Sequence, residues 1–528
     1  MRRRKSVLSA TVLVAVVLGG ARPVSAQEPI RGEPGPTATG TTQDGPVEEV
    51  GSPVEPDAGY SLTGPTLPAD HWAVKAVERA SMLLLVADNH FAQQALPLEV
   101  VEEALREAEA AAADRSPELQ TLVAGWNERL SDEFGGMRPP GTQDDGPLML
   151  RSRLGVGTVY TKGAAAPGLG EFSPHRSGAI PLEDRRSPIT FAHLSGAWTR
   201  RFSVDAYVET DFDKAWLKEV EVAAGFGSWR ASVGRKPVGY GSGPRSGIIL
   251  SGRAPLDAVQ LGTRRALALP GILRPLGSAS LHTFLGRMTD DRHADRPYIW
   301  GASIQLQPSR RFTLGVNRMA MFGGDEPVTA RRLASMLIGR VDGVGFENQI
   351  VSVSGRLVLP TEEFLPATVY AEWGAEDAAG SWWAVPGIIA GITFPSVPRV
   401  PGLALGGEYA HFGTSCCGNP SWYRHWSFHG AWAAGDQPLG HPLGGNGRQA
   451  TVFLGVDLSP EARIEGDVFV RDRKSENLYA PEREGRSFGL SSSVDVRWSE
   501  RWRLRLMGSH EAGETWSESS MRMEVSVF

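Results

Sequence analysis

Two histidines are the most prominent candidates for chemistry, because His425 and His429 are the first and last residues of the segment His-Trp-Ser-Phe-His. On a helix this spacing would place both imidazoles on one face, where they could share a metal ion. Here aromatic residues alternate with other types, which predicts a strand whose aromatic side carries Trp422, Trp426, Phe428 and Trp432. Four strand residues separate the two rings by about 13 Å, too far for one ion. We expect no metal, and an aromatic strand that stacks on a sugar, lines a pore or anchors the chain at a membrane interface.

Other segments with unusual composition also lack the pattern of a reactive site. The glycine-rich segment from Gly239 to Gly247 lacks the phosphate-loop pattern and precedes a strand-like IILSG, so it predicts a tight turn between strands. The neighbours Cys416 and Cys417 lie among turn residues and predict a loop cross-link or idle thiols. GxSxG, HExxH and zinc-finger spacings do not occur in the sequence. We expect no catalytic residue and no cofactor, so the chain is predicted not to be an enzyme.

Charged residues recur at every second position in the C-terminal part of the chain. Seven of them are Arg463, Glu465, Asp467, Asp495, Arg497, Arg501 and Arg503. A period of two is typical of strands with one polar and one apolar face, and we expect the charged face to line a barrel lumen. These charges could form a network that fills the lumen, or could offer a polar surface to a sugar or an ion. The sequence leaves both alternatives open.

The elements that must position these charges are strands of about ten residues, which we expect from residue 137 to residue 528. Such strands suit a soluble sandwich or a membrane barrel. Long polar loops and aromatic residues at strand ends, such as Trp229, Trp373, Trp498 and Trp502, favour the membrane barrel. We therefore predict an all-β transmembrane barrel of about 16–18 antiparallel strands, preceded by a small periplasmic helical bundle.

The N-terminal residues indicate export. Four basic residues, an apolar run from Val7 to Leu18 and the small-residue pattern ending at Ala26 predict a signal peptide over residues 1–26. Its removal takes away five positive charges and changes the net charge from -6 to -11, which argues against a nucleic-acid partner. No later stretch reaches the roughly 18 apolar residues that a spanning helix needs. Residues 27–65 are rich in Pro, Gly and Thr and predict a disordered linker.

Residues 66–136 change to a helical period and predict a three-helix periplasmic bundle. Asp70 is the expected N-cap of the first helix, and Pro97 opens the second. Ser116 and Pro117 supply an N-cap and a first-turn proline for the third.

The last strand predicts how the sheet closes. Apolar and polar residues alternate up to Phe528, which fits a final strand paired with the first one. Met521, Met523, Val525 and Val527 should face lipid, which places Phe528 one step out of register with the apolar face.

The middle of the barrel region resembles the Wzi-type capsule-assembly family of outer-membrane barrel lectins. The resemblance rests on six segments in the family's order: Gly241–Gly262, Leu276–Arg292, Phe312–Gly324, Val369–Gly380, Gly407–Phe412 and Gly440–Gly447. The family also places a helical bundle before the barrel. One departure is Arg245-Ser246, which stands in the glycine-proline turn where the family would have an aromatic residue.

The resemblance implies a function and a set of binding residues. It implies a protein of the cell outer membrane that binds exported capsular or other exopolysaccharide and helps to assemble it on the cell surface. Aromatic rings would stack on sugars, and charged groups would bind hydroxyls or uronates. The residues that match the family segments and could bind polysaccharide are Arg287, Asp290, Asp291, Arg318, Glu372, Glu376, Asp377 and His441. Each could instead have a structural role in the lumen.

A second resemblance covers one helix. Leu67–Leu85 is similar to the opening of an S-layer-homology domain, whose relatives on porins bind polymers linked to peptidoglycan. The downstream element departs from that pattern, because it reads Leu98-Glu99-Val100-Val101. The alternative function is therefore a wall-tethered porin that passes small solutes. In either case outer-membrane lipid is an expected partner.

Overall fold

The computed structural model describes residues 63–88, 95–135, 149–163, 185–198, 201–245, 247–289, 294–338, 346–376, 386–413, 422–425, 428, 432–434, 437–480 and 482–528. The predicted signal peptide, most of the predicted linker and both cysteines lie outside these residues.

Three helices precede the barrel, as predicted. They are α1 (Trp72–Met82), α2 (Leu98–Ala112) and α3 (Pro117–Phe134), and the two-residue strands Thr66–Leu67 and Leu96–Pro97 pair beside them. Their apolar faces form one core, which includes Val101, Leu105 and Trp126. The predicted caps hold for α3, where the Ser116 side chain accepts from the Leu119 backbone N–H. For α1 the prediction was wrong, because the N-cap is His71 and not Asp70.

The described residues form a closed barrel of eighteen antiparallel strands in chain order. They are β1 (Met149–Lys162), β2 (Arg185–Trp198), β3 (Phe202–Thr210), β4 (Ala215–Phe226), β5 (Trp229–Tyr240), β6 (Leu250–Thr263), β7 (Ser278–Arg287), β8 (Tyr298–Ser309), β9 (Phe312–Phe322), β10 (Glu347–Val358), β11 (Thr368–Glu376), β12 (Gly387–Phe394), β13 (Leu403–Phe412), β14 (Gly447–Ser459), β15 (Ala462–Arg473), β16 (Gly485–Arg497), β17 (Trp502–Gly513) and β18 (Ser517–Val527). A further helix, α4 (Ala330–Leu337), lies between β9 and β10.

The barrel closes through its last strand, as the alternation up to Phe528 predicted. β18 pairs with β17 and with β1, where Val527 is opposite Leu154 and Ser519 is opposite Lys162. Every strand therefore has two hydrogen-bonded neighbours, and the barrel has no open sheet edge.

The two faces of the wall have opposite chemistry. On β18, Met521 and Met523 are exposed on the outside, whereas Glu524 and Ser526 are buried on the inside. The same alternation runs through β14–β16, with Val452, Val468 and Leu490 outside and charged or small residues inside. The side chain of Phe528 lies under the Arg151 and Arg153 guanidiniums and lines a cavity beside the helices, so it is out of phase with the lipid face as expected.

The connections distinguish the two ends of the barrel. At the end where β1 begins, turns such as those between Trp198 and Phe202 or Ser309 and Phe312 are short, and the three helices lie at this end. At the other end the connections are longer, for example from Phe412 to Gly447. Short turns mark the periplasmic end of such barrels and long loops the extracellular end. Among the described residues, no helix is long and apolar enough to cross a membrane.

The three helices are bound to the inner wall by ion pairs. Glu133 of α3 pairs with Arg503 of β17 at 2.9 Å, and Arg129 pairs with Asp495 of β16 at 3.0 Å. Lys75 of α1 pairs with Glu465 of β15. On the opposite wall, Arg230 and Glu221 bind the segment before α1, since the Thr66 backbone N–H donates to Glu221 at 2.9 Å and Arg230 donates to the Gly64 carbonyl at 2.9 Å.

We predict that a charge on the outer face at mid-strand destabilises the barrel. Val468 is 47% exposed near the middle of β15, and Val468→Arg should lower the free energy of unfolding by about 2–4 kcal/mol because an arginine at the bilayer midplane must be desolvated. The control is Ala450→Arg, on the outer face close to the extracellular end, where the cost should be about 1 kcal/mol or less. Urea unfolding in liposomes measures both values, and equal effects would contradict the assignment of the lipid face.

We also predict that Glu133 holds α3 in the barrel. Its carboxylate accepts from the Trp72 indole N–H at 2.7 Å and pairs with Arg503, so Glu133→Gln leaves a buried cation less compensated and should cost about 3 kcal/mol. Hydrogen exchange of α1 and α3 should then accelerate strongly, while the control Glu128→Gln, exposed on the same helix, should change little. Unchanged protection in Glu133→Gln would show that this ion pair does not hold the helices.

The ionisation of Glu133 makes the stability of the helices depend on pH. Burial alone would raise the pKa of Glu133, but the charges of Arg503, His71 and Arg129 hold it well below its ordinary value of 4.5. The stabilisation from Glu133 is therefore fully present above about pH 4.5 and is lost as the pH falls below that value toward the folded-state pKa. Exchange of α3 amides in the wild type should accelerate in this acidic window, and that acceleration should be smaller in Glu133→Gln.

Candidate functional site

The candidate site lies at the extracellular end, where loops fold into the lumen. The segment from Gly241 to Ile249 leaves β5 and turns inward, so that Ile248 and Ile249 are fully buried. Arg245 reaches down to an ion pair with Asp467 of β15 and lies over the ring of Phe453 at 5.1 Å. The predicted tight turn is therefore wrong, because this loop is held inside the barrel by an apolar contact and an ion pair.

The second inward loop connects β13 to β14. These strands pair directly, with Phe412 opposite Gly447, so the described residues between 413 and 446 are a connection and not a barrel strand. His425 and Phe428 form an isolated antiparallel β-bridge, and the backbone N–H of Trp432 donates to the Tyr423 carbonyl at 2.9 Å. The strand predicted for His425–His429 is wrong, because its aromatic alternation comes from a tightly folded loop; Trp426 and His429 lie outside the described residues.

The two inward loops share one apolar core, which we call the loop plug and define as the described residues of 241–249 and 422–446. Its largest buried members are Trp422, Tyr423, Phe428 and Trp432. They pack with Ile248 and with residues on the inner faces of β5 to β13. The extracellular half of the lumen is therefore filled by a hydrophobic core on the side of β5 to β13.

Three of the predicted polysaccharide-binding residues converge at the loop plug. Glu372 accepts from the Ile248 N–H at 3.2 Å, and Glu376 accepts from the Tyr423 N–H at 3.1 Å. The His441 N–H donates to the Tyr423 hydroxyl at 2.9 Å, and that hydroxyl donates to the Ile248 carbonyl. All three predicted residues are buried, so in this structure they hold the loops and do not face the outside.

Two other predicted residues lie on the outer wall. Arg318 follows Phe312, Leu314 and Val316 on the lipid-facing side of β9, and its side chain binds the last turn of α4. Arg287 lies at the extracellular end of β7, with its guanidinium 5.2 Å from the centre of the Tyr298 ring. The structure therefore does not bring them together with Glu372, Glu376 and His441. Asp290, Asp291 and Asp377 lie outside the described residues.

The charges predicted to line the lumen do so with one exception. Arg463, Glu465, Asp467, Asp495, Arg497 and Arg503 point inward and make ion pairs with one another, with the helices or with the loop plug. Arg501 is exposed in the turn before β17, so its predicted place in the lumen was wrong. These pairings favour the network that fills the lumen over a free polar surface.

Sequence reasoning missed an arginine–aromatic cluster beside the loop plug. The guanidinium of Arg483 lies 4.8 Å from the ring centre of Trp516 and 5.8 Å from that of Tyr479, while it donates to Glu518 at 2.9 Å. Trp516 stands half-buried in the three-residue turn between β17 and β18, at the extracellular end. A tryptophan in so short a turn was the available signal, because turns of this length favour small polar residues.

Burial shifts the pKa values of Arg483 and His425. Burial lowers the pKa of Arg483 to about 10, so the guanidinium is positive near neutral pH. Burial also lowers the pKa of His425 to about 4, so that its imidazole is neutral there. Arg424 joins the loop plug to the segment after β15 by donating to the Asn477 carbonyl at 2.6 Å. Arg483 is itself buried and paired with Glu518, so the half-buried ring of Trp516 is the part of this cluster that can meet a sugar.

The described residues contain no group of three or more His, Cys, Asp or Glu side chains that could hold a metal ion.

We predict that the Tyr423 hydroxyl holds the two loops together. Tyr423→Phe leaves the buried Ile248 carbonyl and His441 N–H without this partner, at a cost of about 1–3 kcal/mol for each group. Hydrogen exchange across 241–249 and 437–446 should accelerate by at least about tenfold. Tyr409→Phe, on the exposed outer face of β13, is the matched control. Loops that exchange as slowly as in the wild type would contradict this role.

Comparison with known proteins identifies relatives of this fold. Wzi of Escherichia coli, described as an outer membrane protein involved in group 1 capsule assembly and a carbohydrate-binding β-barrel, is 16% identical; the match covers 87% of this chain and 98% of that chain, with a TM-score of 0.65. OccK5 and OpdQ of Pseudomonas aeruginosa are 11% and 9% identical over 71% of this chain and 97% of theirs, each with a TM-score of 0.43. No curated protein matches the sequence.

The sequence itself matches one family. The profile described as "Capsule assembly protein Wzi" matches residues 175–520, a range that extends from the segment before β2 into β18. A closed barrel with an apolar outer face and a charged, filled interior is an outer-membrane protein. Since the matched range is well over half of the sequence, the chain belongs to the Wzi family of capsule assembly proteins.

Proposed function

We propose that the protein binds exported capsular or other exopolysaccharide at its extracellular surface and helps to assemble it on the cell. Family membership and the description of Escherichia coli Wzi as carbohydrate-binding support this proposal. The observation that carries it is the filled lumen, because it makes the extracellular end a solid platform for a polymer.

Protein segments enter the lumen from both ends of the barrel and contact the same strand, β15. From the periplasmic side, Lys75 of α1 pairs with Glu465, and from the extracellular side Arg245 pairs with Asp467, the next inward position on β15. Lys75 and Arg245 are close enough for each to act on Glu465 electrostatically. The helices and the loop plug therefore meet inside the lumen at β15. This argues for a binding platform over the alternative porin.

We place the polysaccharide contacts on the outer surface of the loop plug and its neighbours. Trp516 offers a ring face to sugars, and the buried pair of Arg483 and Glu518 supports that ring from beneath. The eight residues predicted from the family segments have a different place in the proposal. Glu372, Glu376 and His441 hold the loops in place. Arg287 and Arg318 lie on the outer wall, away from this surface.

The proposed role is not enzymatic. The described residue set that most resembles a catalytic triad is Ser195, His193 and Asp205, on β2 and β3. The same nitrogen, His193 Nε2, contacts both Asp205 at 2.9 Å and Ser195 at 3.3 Å, whereas a triad needs the two ring nitrogens to bind different partners. Asp205 also pairs with Lys236 at 2.6 Å. These contacts support a structural network.

Outer-membrane lipid is the second proposed partner, in line with the apolar outer face. A polymer linked to peptidoglycan is not part of the proposal, because α1, which resembles the S-layer-homology helix, is largely covered. Trp72, Val74, Ala76 and Val77 are buried, and Lys75 and Arg79 pair with the barrel wall.

The test is binding of purified protein in detergent to an array of bacterial capsular oligosaccharides, with neutral dextran as a negative probe. Wild type should retain uronate-containing fragments, and Trp516→Ala should bind them about tenfold more weakly because a stacking face is lost. Trp502→Ala is the matched control, since Trp502 stacks on Trp498 at the periplasmic end. Failure of wild type to bind any acidic capsular fragment, with an intact barrel, would overturn the proposal.

A conductance measurement separates platform from porin. In planar bilayers the wild type should show no steady conductance of nanosiemens order, because the three helices and the loop plug occupy the lumen. Steady open channels of that size, unchanged by added polysaccharide, would support the porin instead.

A further inference from the structure

Two arginines lie side by side on the inner face of β1, at the periplasmic end of the barrel. Arg151 and Arg153 alternate with Leu150 and Leu154, which are exposed on the outer face. Two strand positions place the Cα atoms of the arginines about 7 Å apart. Both guanidiniums lie over the ring of Phe528, with their central carbons 5.1 Å and 6.0 Å from its centre. The two cations therefore converge on one place, and they are close enough to repel each other.

Neither arginine forms an ion pair with a carboxylate in the part of the chain that the structure describes. Arg151 donates to the Asp132 carbonyl at 2.6 Å. Arg153 lies over the rings of Phe191 and Phe528, at 5.6 Å and 6.0 Å from their centres, and its buried Nε has no hydrogen-bond partner among the described residues. Aromatic rings contact the flat face of a guanidinium and leave the N–H groups at its edge free. Donors of both arginines therefore remain available to a ligand.

The space in front of the two arginines is a cavity of about 120 Å³ between the helices and the barrel wall. One water molecule needs about 10–15 Å³, so the cavity can hold a solute of several non-hydrogen atoms together with water. Arg151 and Phe528 are only half-buried and lie at the end where β1 begins, so solutes of the periplasm can reach them. Both arginines point into the lumen, which separates this site from the membrane lipid.

The carboxylates around the cavity already have cations of their own. Every Asp or Glu side chain in the described lining forms an ion pair that involves neither arginine of β1: Glu133 and Asp495 with Arg503, Glu465 with Arg463, Asp205 and Glu219 with Lys236, Glu524 with Arg522, and Asp70 with Arg505. The surplus positive charge of the cavity therefore lies on Arg151 and Arg153. Two adjacent cations that are partly shielded from water are costly, so an anion of matching charge would be stabilised between them.

We propose that Arg151 and Arg153 bind a phosphate group at the periplasmic end of the lumen, with its oxygens accepting from both guanidiniums above the Phe528 ring. A phosphate group carries close to two negative charges near neutral pH and has oxygens for two guanidiniums, whereas a carboxylate brings one charge. Arg151 also binds the last turn of α3 through Asp132, so a bound phosphate would join the wall to the helices. The site and the surface around Trp516 lie at opposite ends of the barrel, so it is independent of the proposed function.

Isothermal titration of the full protein in detergent with inorganic phosphate at low ionic strength tests the site. Wild type should bind phosphate saturably, and Arg151→Gln/Arg153→Gln should bind it at least about tenfold more weakly because charge-assisted hydrogen bonds are lost. Arg274→Gln is the matched control, since Arg274 is an exposed arginine in the periplasmic turn between β6 and β7. It should leave the affinity for phosphate unchanged.

Thermal unfolding separates binding from a role in folding. Since Arg153 has no carboxylate partner among the described residues, Arg153→Gln without phosphate should leave the midpoint of unfolding at or above the wild-type value. Added phosphate should raise the midpoint of wild type and change that of the variant little, because a ligand stabilises only the state that binds it. Heat-modifiable mobility on gels checks that each barrel is folded. A lower midpoint of Arg153→Gln without phosphate would contradict the surplus charge on which the proposal rests.

Glucose 1-phosphate, as a second probe, distinguishes a phosphorylated sugar from free phosphate. Tighter binding of glucose 1-phosphate than of inorganic phosphate would support the sugar as the source, and equal or weaker binding would support free phosphate. Acetate bound as tightly as phosphate would overturn the assignment to phosphate. Absence of saturable phosphate binding by folded wild type, equal affinity in Arg151→Gln/Arg153→Gln, or an equal loss in Arg274→Gln would overturn the site.

Discussion

Pairing of buried charges across the lumen is the interaction on which the rest of this structure depends. A barrel whose inner face carries many arginines and carboxylates must supply each of them with a partner, because an isolated charge away from water is very costly. Lys75 with Glu465, and Arg245 with Asp467, provide such partners from opposite ends of the barrel. The helices and the loop plug are therefore part of the charge balance of the wall and fill the lumen as a consequence.

The same wall has three surfaces, each with its own chemistry. The inner face binds protein segments through ion pairs, the extracellular surface presents Trp516 above the buried loop core, and the outer face is apolar and is covered near its extracellular rim by α4. Polymer at the top, protein inside and lipid outside are the partners that these surfaces fit. Membership of the Wzi family is consistent with this division, since capsule assembly requires a surface exposed to the outside.

The sequence predicted the parts of the fold that rest on periodicity. A period of two identified the barrel and its closing strand, and apolar spacing with the Ser116 cap identified the helices. It failed where tertiary contacts decide, as in the loop around Tyr423, whose aromatic alternation serves a folded core and not a strand. The resemblance to Wzi proteins located charged positions but not their side of the wall. For Arg318 the phase with Leu314 and Val316 was already visible and indicates the outer face, whereas the contact with α4 needed the structure.

Structure determination of the protein in lipid nanodiscs with a bound acidic capsular oligosaccharide would show where the polymer binds and whether the lumen stays filled. We expect sugar density on the extracellular surface beside Trp516, with α1 and the loop plug still meeting at β15. Sugar density inside the barrel, with the loop plug or the helices displaced to leave a continuous channel, would contradict this expectation.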